Sequence, residues 1–278
     1  MAYDFNAELK RVKNYYAQDP LQKRFSALIT GETGSGKTFL LRTCRFPIHI
    51  DSFDPGGTKC LDKWIKSGDI VADTSWEHED PFNPIAFAEW MKAIEIRMRV
   101  KYFDHFATYC LDSASSWGAA AMNYQLGNNN RAGEIPQFRK DYTPQKTAMV
   151  NYLKKLMNLP CDFILTGHLN NIGEIVGKDK EGVDIKKDKF RFHTTGDAMI
   201  TIPMQFDELY VMRGDTSTST GTKRELLIDS QGKYLARSRL KGDGLLNIVE
   251  EPDIKRILKK IGKPFNDMPK LEEDIQSV

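Results

Sequence analysis

The chain has 278 residues, 40% of them hydrophobic and 28% charged, with a formal net charge of +2. Such a length suits one large α/β domain or two small ones, and the near-neutral charge confines any nucleic-acid site to a local patch. No apolar run reaches the ~18 residues of a membrane span and the first six residues lack signal-peptide character, so a cytoplasmic protein with no membrane contact is expected.

Residues 1–24 are polar and are expected to form an outer helix or arm. Residues 25–30 read as a short buried strand, and 39–43 as the start of a helix. Between them lies Gly31-Glu32-Thr33-Gly34-Ser35-Gly36-Lys37-Thr38. This octapeptide fits G-x-x-x-x-G-K-[ST], the phosphate-binding loop. Its four fixed positions should match by chance in roughly one chain in a hundred of this length, and the strand–loop–helix order is the context the motif requires.

Further strands are expected at 47–51 and 70–72, then a turn at 81–84. Apolar residues at helical spacing (Phe87, Trp90, Met91, Ile94, Met98) predict a helix over 85–102. Residues 107–112 form a buried strand ending in a carboxylate, followed by a helix holding Trp117 and Met122. Residues 127–141 read as a mobile loop. Thr143-Pro144 opens a helix to Leu159, 162–168 is a strand, and 169–195 is a long polar stretch. Later strands lie at 206–212, 224–228 and 234–239, the last two joined by a hairpin-like turn at 229–232. A basic helix covers 253–261. Cys44, Cys60, Cys110 and Cys161 are scattered and read as buried thiols in a reducing compartment.

Alternating strands and helices imply a mostly parallel sheet covered on both faces. Ligands then bind at the carboxyl ends of the strands. Glycines let backbone N–H groups turn around a phosphate. Lys37 would reach the β- and γ-phosphates, and Thr38 would hold Mg²⁺. Asp112 ends its strand as either a second Mg²⁺ ligand or a helix N-cap. Asp51 and Asp54 follow the second strand, and either could position water, with Glu79 a third choice. His168 ends a strand in a cluster with Thr166 and Asn170. Arg237 and Arg239 share one strand face, either as guards of a solvated edge or as an arginine finger reaching a neighbouring subunit's γ-phosphate.

In this order the motifs resemble the RecA-like P-loop ATPases, and more narrowly the phage-encoded ATP-binding proteins that act in single-strand annealing and recombination. The resemblance runs from about Arg24 to Ile261. It rests on the phosphate loop, Asp51-Ser-Phe-Asp54-Pro-Gly-Gly, Leu111-Asp-Ser113, Leu165-Thr-Gly-His-Leu169, Thr195-Gly196 leading into Phe206-Asp-Glu-Leu-Tyr210, and Arg237-Ser-Arg239. It implies a RecA-like α/β core over 25–250 with a C-terminal antiparallel extension, flanked by an N-terminal arm (1–24) and a C-terminal helix and tail (251–278). It further implies ATP and Mg²⁺ as ligands, ATP hydrolysis, a homo-oligomeric ring or filament, and single-stranded DNA as partner. Two departures stand out. His168 occupies a strand-end sensor position that is often Gln, and Asp51 or Asp54 must serve where the family often has Glu. By position, DNA would meet residues 127–141 and 169–193. In the latter, Lys186, Lys187, Lys189 and Arg191 could track phosphates while Phe190 and Phe192 stack on bases. A solvated hairpin is the competing reading of this segment. A duplex-DNA motor and a nucleotide-dependent scaffold with little turnover are the alternative functions.

Overall fold

The computed structural model describes residues 3–178, 181–194, 198–215, 223–242 and 244–271. Helix α1 (Phe5–Gln18) starts at Asp4, whose side chain accepts the Ala7 N–H. It buries none of its residues, so its apolar stripe of Phe5, Leu9 and Val12 stays exposed. After the short α2 (Pro20–Lys23), strand β1 (Ser26–Gly31) leads through the glycine loop into α3 (Lys37–Leu40). This helix is only one turn long and continues as a 3₁₀ turn to Thr43.

Next come β2 (Ile48–Ser52), α4 (Asp62–Lys66), β3 (Ile70–Asp73), α5 (Ala86–Arg99), β4 (Thr108–Asp112), α6 (Ala114–Asn128), α7 (Thr143–Leu156) and β5 (Asp162–Asn171). The second half holds β6 (Glu174–Lys178), β7 (Asp184–Lys187), β8 (Phe190–Phe192), α8 (Ala198–Met204), β9 (Glu208–Asp215), β10 (Lys223–Leu227), β11 (Arg237–Ser238), β12 (Val249–Glu250) and α9 (Ile254–Lys260).

The main sheet runs β12-β10-β9-β1-β5-β4-β2-β3. The strands from β9 to β3 are mutually parallel, and β10, β11 and β12 add antiparallel pairs at one side. The expected fold class is therefore observed: an α/β P-loop core with a mostly parallel sheet and a C-terminal antiparallel extension. Side chains alternate between two cores. Leu28, Leu111 and Leu165 join Trp90, Trp117 and Leu153 on one face. Ala27, Ile29, Cys110 and Ile164 join Leu40, Ile257 and Leu258 on the other. Helix α9 thus packs directly on the sheet.

Three expected elements differ. Within the polar stretch 169–195 the described residues are largely regular: β5 continues to Asn171 and pairs with β8, and β6 with β7 makes the exposed two-stranded hairpin of the competing reading. The strand expected at 234–239 shrinks to β11, which pairs with β9 instead of β10. The reason is that β10 covers β9 only from Val211 to Asp215. Glu208 and Leu209 would otherwise present unpaired backbone groups, and β11 fills that gap. The segment 127–141 is tied down rather than loose. Its buried Asp141 accepts hydrogen bonds from Arg131 Nη1 (2.6 Å), Asn129 Nδ2 (2.9 Å) and the Gln137 N–H (2.7 Å). Among the described residues, no helix is long and apolar enough to cross a membrane.

Candidate active site

The phosphate loop is built on glycines at positions where a side chain would clash or strain the backbone. A Cβ on Gly31 would collide with Ser35 Oγ and the Met212 carbonyl oxygen. Gly34 and Gly36 have φ of +78° and +98°, a region that L side chains rarely adopt. Lys37 is folded into this loop. Its Nζ donates to the Gly31 and Glu32 carbonyls at 3.1 Å each and lies 3.5 Å from His168 Nδ1. Burial lowers its pKa, against the opposing charges of Asp112 and Asp54.

Thr38 Oγ1 donates to Asp112 Oδ2 at 2.7 Å, and the Thr166 hydroxyl holds Oδ1. Helix α6 is N-capped by Ser113, so Asp112 is aimed at the phosphate loop and is not the cap. Burial raises the Asp112 pKa, partly offset by the Thr166 and Thr38 hydrogen bonds. The donor set fits Mg²⁺, a hard cation held by one or two protein oxygens together with substrate phosphates and water. Ser35 Oγ is also buried here with no hydrogen-bond partner among the described residues. No cluster of three or more His, Cys, Asp or Glu that could hold a metal by itself exists among those residues.

Asp54 lies across a cavity of about 410 Å³ from the loop, with Lys37, Thr38 and His168 in its walls. His168 Nε2 is 3.5 Å from Asp54 Oδ2, and Ser113 Oγ (3.0 Å) and the Ser116 hydroxyl donate to Oδ1. Burial pushes the Asp54 pKa up, but the hydrogen bonds from His168, Ser116 and Ser113 outweigh it and hold the carboxyl below its ordinary value.

Asp51 does not join the site, which corrects its candidacy as the water-positioning group. Three residues upstream in an alternating strand, it points into the aromatic core and is 0% exposed. Its Oδ1 meets His49 Nε2 (3.0 Å), Arg97 Nη1 (2.8 Å) and Trp76 Nε1 (3.3 Å). Its Oδ2 accepts from Trp90 Nε1 (2.9 Å) and Tyr109 OH (2.8 Å). Burial would raise its pKa, yet the charge and hydrogen bond of His49, with Arg97 and Tyr109, hold it far below the usual range. Glu79 does not line this cavity; its Oε2 accepts the Ala86 N–H at the start of α5.

Within one subunit Arg237 and Arg239 do not reach the phosphate loop; the expected finger would reach a neighbouring subunit's γ-phosphate instead. Arg237 pairs with Leu209, level with Leu28, about 10 Å of strand before Gly31 at ~3.3 Å per residue. Its Nη2 donates to the Pro203 and Phe206 carbonyls (2.8 and 2.9 Å). Arg239 is an exposed partner of Asp207. The arginine that does line the cavity, Arg224, was missed, although the strand expected at 224–228 contained it. Cys60 also lines this cavity and is exposed, unlike the other three cysteines.

Of the expected DNA contacts, Lys186 and Lys187 are exposed but adjacent on β7, so they occupy opposite faces of the hairpin. Lys189 is engaged by Glu174 at 2.5 Å and Arg191 by the Phe190 carbonyl at 2.8 Å. Phe192 cannot stack on a base: it is buried over Gly167, which has no side chain to keep the ring away. Phe190 instead packs on Tyr234 at a centroid distance of 5.4 Å. Thr195 and Gly196 lie outside the described residues.

A family model described as an AAA domain matches residues 23–240. The chain belongs to that family. No curated protein matches it significantly. Among solved structures it is similar to a KaiC-like protein of the hyperthermophilic archaeon Pyrococcus horikoshii, at 12% identity over 77% of this chain and 81% of that one, with a TM-score of 0.39. It is also similar to the ATPase EscN of the enteropathogenic Escherichia coli type III secretion system, solved with its central stalk EscO. There the identity is 16% over 78% of this chain and 47% of that one, with a TM-score of 0.43.

Proposed function

From membership of the AAA domain family and from one cavity that gathers Lys37, Thr38, Asp54 and His168 beside Asp112, we propose that the chain hydrolyses ATP and uses the cycle to act on single-stranded DNA as an oligomer. The convergence of these groups on a single phosphate loop carries the reading.

Residues 31–38 bind the triphosphate. On binding, Lys37 exchanges the Gly31 and Glu32 carbonyls for phosphate oxygens, so its charge is already at the site and its movement is small. Thr38 and Asp112 would hold Mg²⁺, which supplies neutralisation of phosphate charge. Asp54 stays ionised at neutral pH and, with His168, orients the attacking water. A carboxylate with a lowered pKa is a weak base, but being ionised it can still accept a hydrogen bond from water. That suits phosphoryl transfer, where positioning matters more than proton abstraction. Water adds to the γ-phosphorus and one of its protons passes to a γ-phosphate oxygen, the bond to the bridging oxygen breaks, and ADP leaves with that oxygen.

DNA enters as the partner through the β6–β7 hairpin. It extends from β5, the strand that carries His168, and the base of β8 is tied back by the His193 N–H donating to the His168 carbonyl at 2.7 Å. A change at His168 thus has a short route to the exposed lysines. The test is ATP turnover measured without DNA, with single-stranded DNA and with duplex DNA. Single strands should stimulate most. Preferential stimulation by duplex would make the protein a duplex motor, and tight ATP binding without turnover would make it a scaffold.

A further inference from the structure

One cation in the cavity has no role in the reading so far. Arg224 stands at the start of β10, and its position follows from sheet register and alternation. Arg224, Leu226 and Ile228 share a strand face. Leu226 and Ile228 are fully buried in the core that contains Ile29 and Leu40, which fixes that face toward the phosphate-loop side of the sheet. Leu226 lies opposite Met212, and Met212 lies opposite Gly31, the last residue of β1. Arg224 lies opposite Gly214, two residues further out, level with the loop itself.

There the side chain crosses Gly36. A Cβ placed on that glycine would stand 2.7 Å from Arg224 Nε and 2.9 Å from its Cδ. Glycine at this position therefore serves the turn and also leaves room for the arginine. Arg224 makes no salt bridge to a carboxylate among the described residues, whereas nearby Arg213 is engaged by Glu225 at 3.1 Å.

We propose that Arg224 binds the phosphate chain of the nucleotide in cis, from the same subunit's sheet. The proposal rests on the ATPase reading above and deepens it. A guanidinium offers a planar fork of donors that matches phosphate oxygens. Placed over Gly36, it faces the loop from the side opposite His168, so the phosphates lie between a lysine rising from the loop and an arginine descending from β10. Each subunit then carries a complete set of cations, and nucleotide binding does not wait for a neighbour. Arg237 and Arg239, lower on the same flank, have no part in it.

The test uses the full chain and four proteins: wild type, Arg224→Gln, Arg224→Lys and Lys37→Ala. Affinity for a non-hydrolysable ATP analogue is measured by titration calorimetry, with melting of the nucleotide-free proteins alongside. Arg224→Gln should lose about ten- to hundredfold in affinity, the range of a charge-assisted hydrogen bond. Its melting point should not change, because the side chain is exposed. Arg224→Lys should recover part of the affinity. Mixtures of Arg224→Gln with Lys37→Ala should regain no turnover, since each defect stays within its own subunit. Wild-type affinity in Arg224→Gln beside a defective Lys37→Ala would overturn the role of Arg224 alone. Restored turnover in the mixtures would overturn the cis assignment. Failure of the wild type to bind, or normal binding by Lys37→Ala, would remove the nucleotide site and Arg224's role with it.

Discussion

Asp51 and Asp54 are three residues apart on one strand–turn segment, yet replacing each by Asn should give opposite results. Asp51 is fully buried and is the shared acceptor of His49, Trp76, Trp90, Arg97 and Tyr109. Asp51→Asn keeps the volume but leaves the Arg97 charge with only Asp73 and turns an acceptor edge into a donor. Breaking a buried charged pair costs about 3–5 kcal/mol. At roughly 2–4 °C per kcal/mol for a domain of this size, melting should fall by about 6–20 °C.

The pH dependence has a definite sign. The folded-state pKa of Asp51 lies below its ordinary value of 3.8, so its contribution is present above 3.8 and fades as pH falls through the folded value. The melting gap between wild type and Asp51→Asn should therefore be full at pH 7 and narrow below 3.8. Asp54→Asn should instead change stability by no more than about 1 kcal/mol, since Asn can still accept from Ser113 and Ser116. Its turnover should fall by about 10²–10⁴, the range for a group that acts on the attacking water. Thermal unfolding by circular dichroism and steady-state phosphate release separate the two. A stable, inactive Asp51→Asn beside an active Asp54→Asn would refute the assignment.

Other variants probe the remaining contacts. Asp112→Asn should lose turnover while melting at or above wild type at pH 7. The folded pKa of Asp112 is raised above 3.8, so its ionised form costs stability as pH rises through the folded value, and the difference should vanish below 3.8; a lower melting point at pH 7 would contradict this. Lys186→Ala and Lys187→Ala should each reduce the slope of log K against log salt for single-stranded DNA by about 0.7. Lys189→Ala should change it less, because Glu174 already neutralises that lysine; equal effects from all three would place DNA differently. Arg237→Ala should lower stability by about 1–3 kcal/mol through the orphaned Pro203 and Phe206 carbonyls, with nucleotide affinity unchanged. Loss of affinity at constant stability would return Arg237 to the site.

Much of the core was legible because parallel strands buried on both faces appear as short apolar runs. Strands β1, β2, β4 and β5 all fall within a residue or two of the expected starts. The phosphate loop and Asp112 were legible as a motif and as a strand-end carboxylate. What a linear pattern lacks is lateral order. Asp51 and Asp54 are equivalent in sequence until strand alternation decides which faces the core. Arg224 and Arg237 both sit on late strands, and only the pairing of β10 and β11 with different stretches of β9 shows which one reaches the loop. The hairpin at 174–187 was legible only as the competing reading of a polar stretch, because both of its faces are exposed and its charges follow no alternation. Likewise Phe192 looked available for stacking because nothing in its neighbourhood shows that Gly167 leaves space beneath it.

The central claim is that ATP is bound and cleaved at residues 31–38, and the most direct measurement is Mg²⁺-dependent phosphate release by wild type and Lys37→Ala at matched folded concentration. The wild type should turn over ATP, and Lys37→Ala should show no measurable release while keeping its circular dichroism spectrum, because the lysine's hydrogen bonds go to loop carbonyls and the His168 ring and not to the core. Wild-type turnover in a folded Lys37→Ala protein would contradict the account.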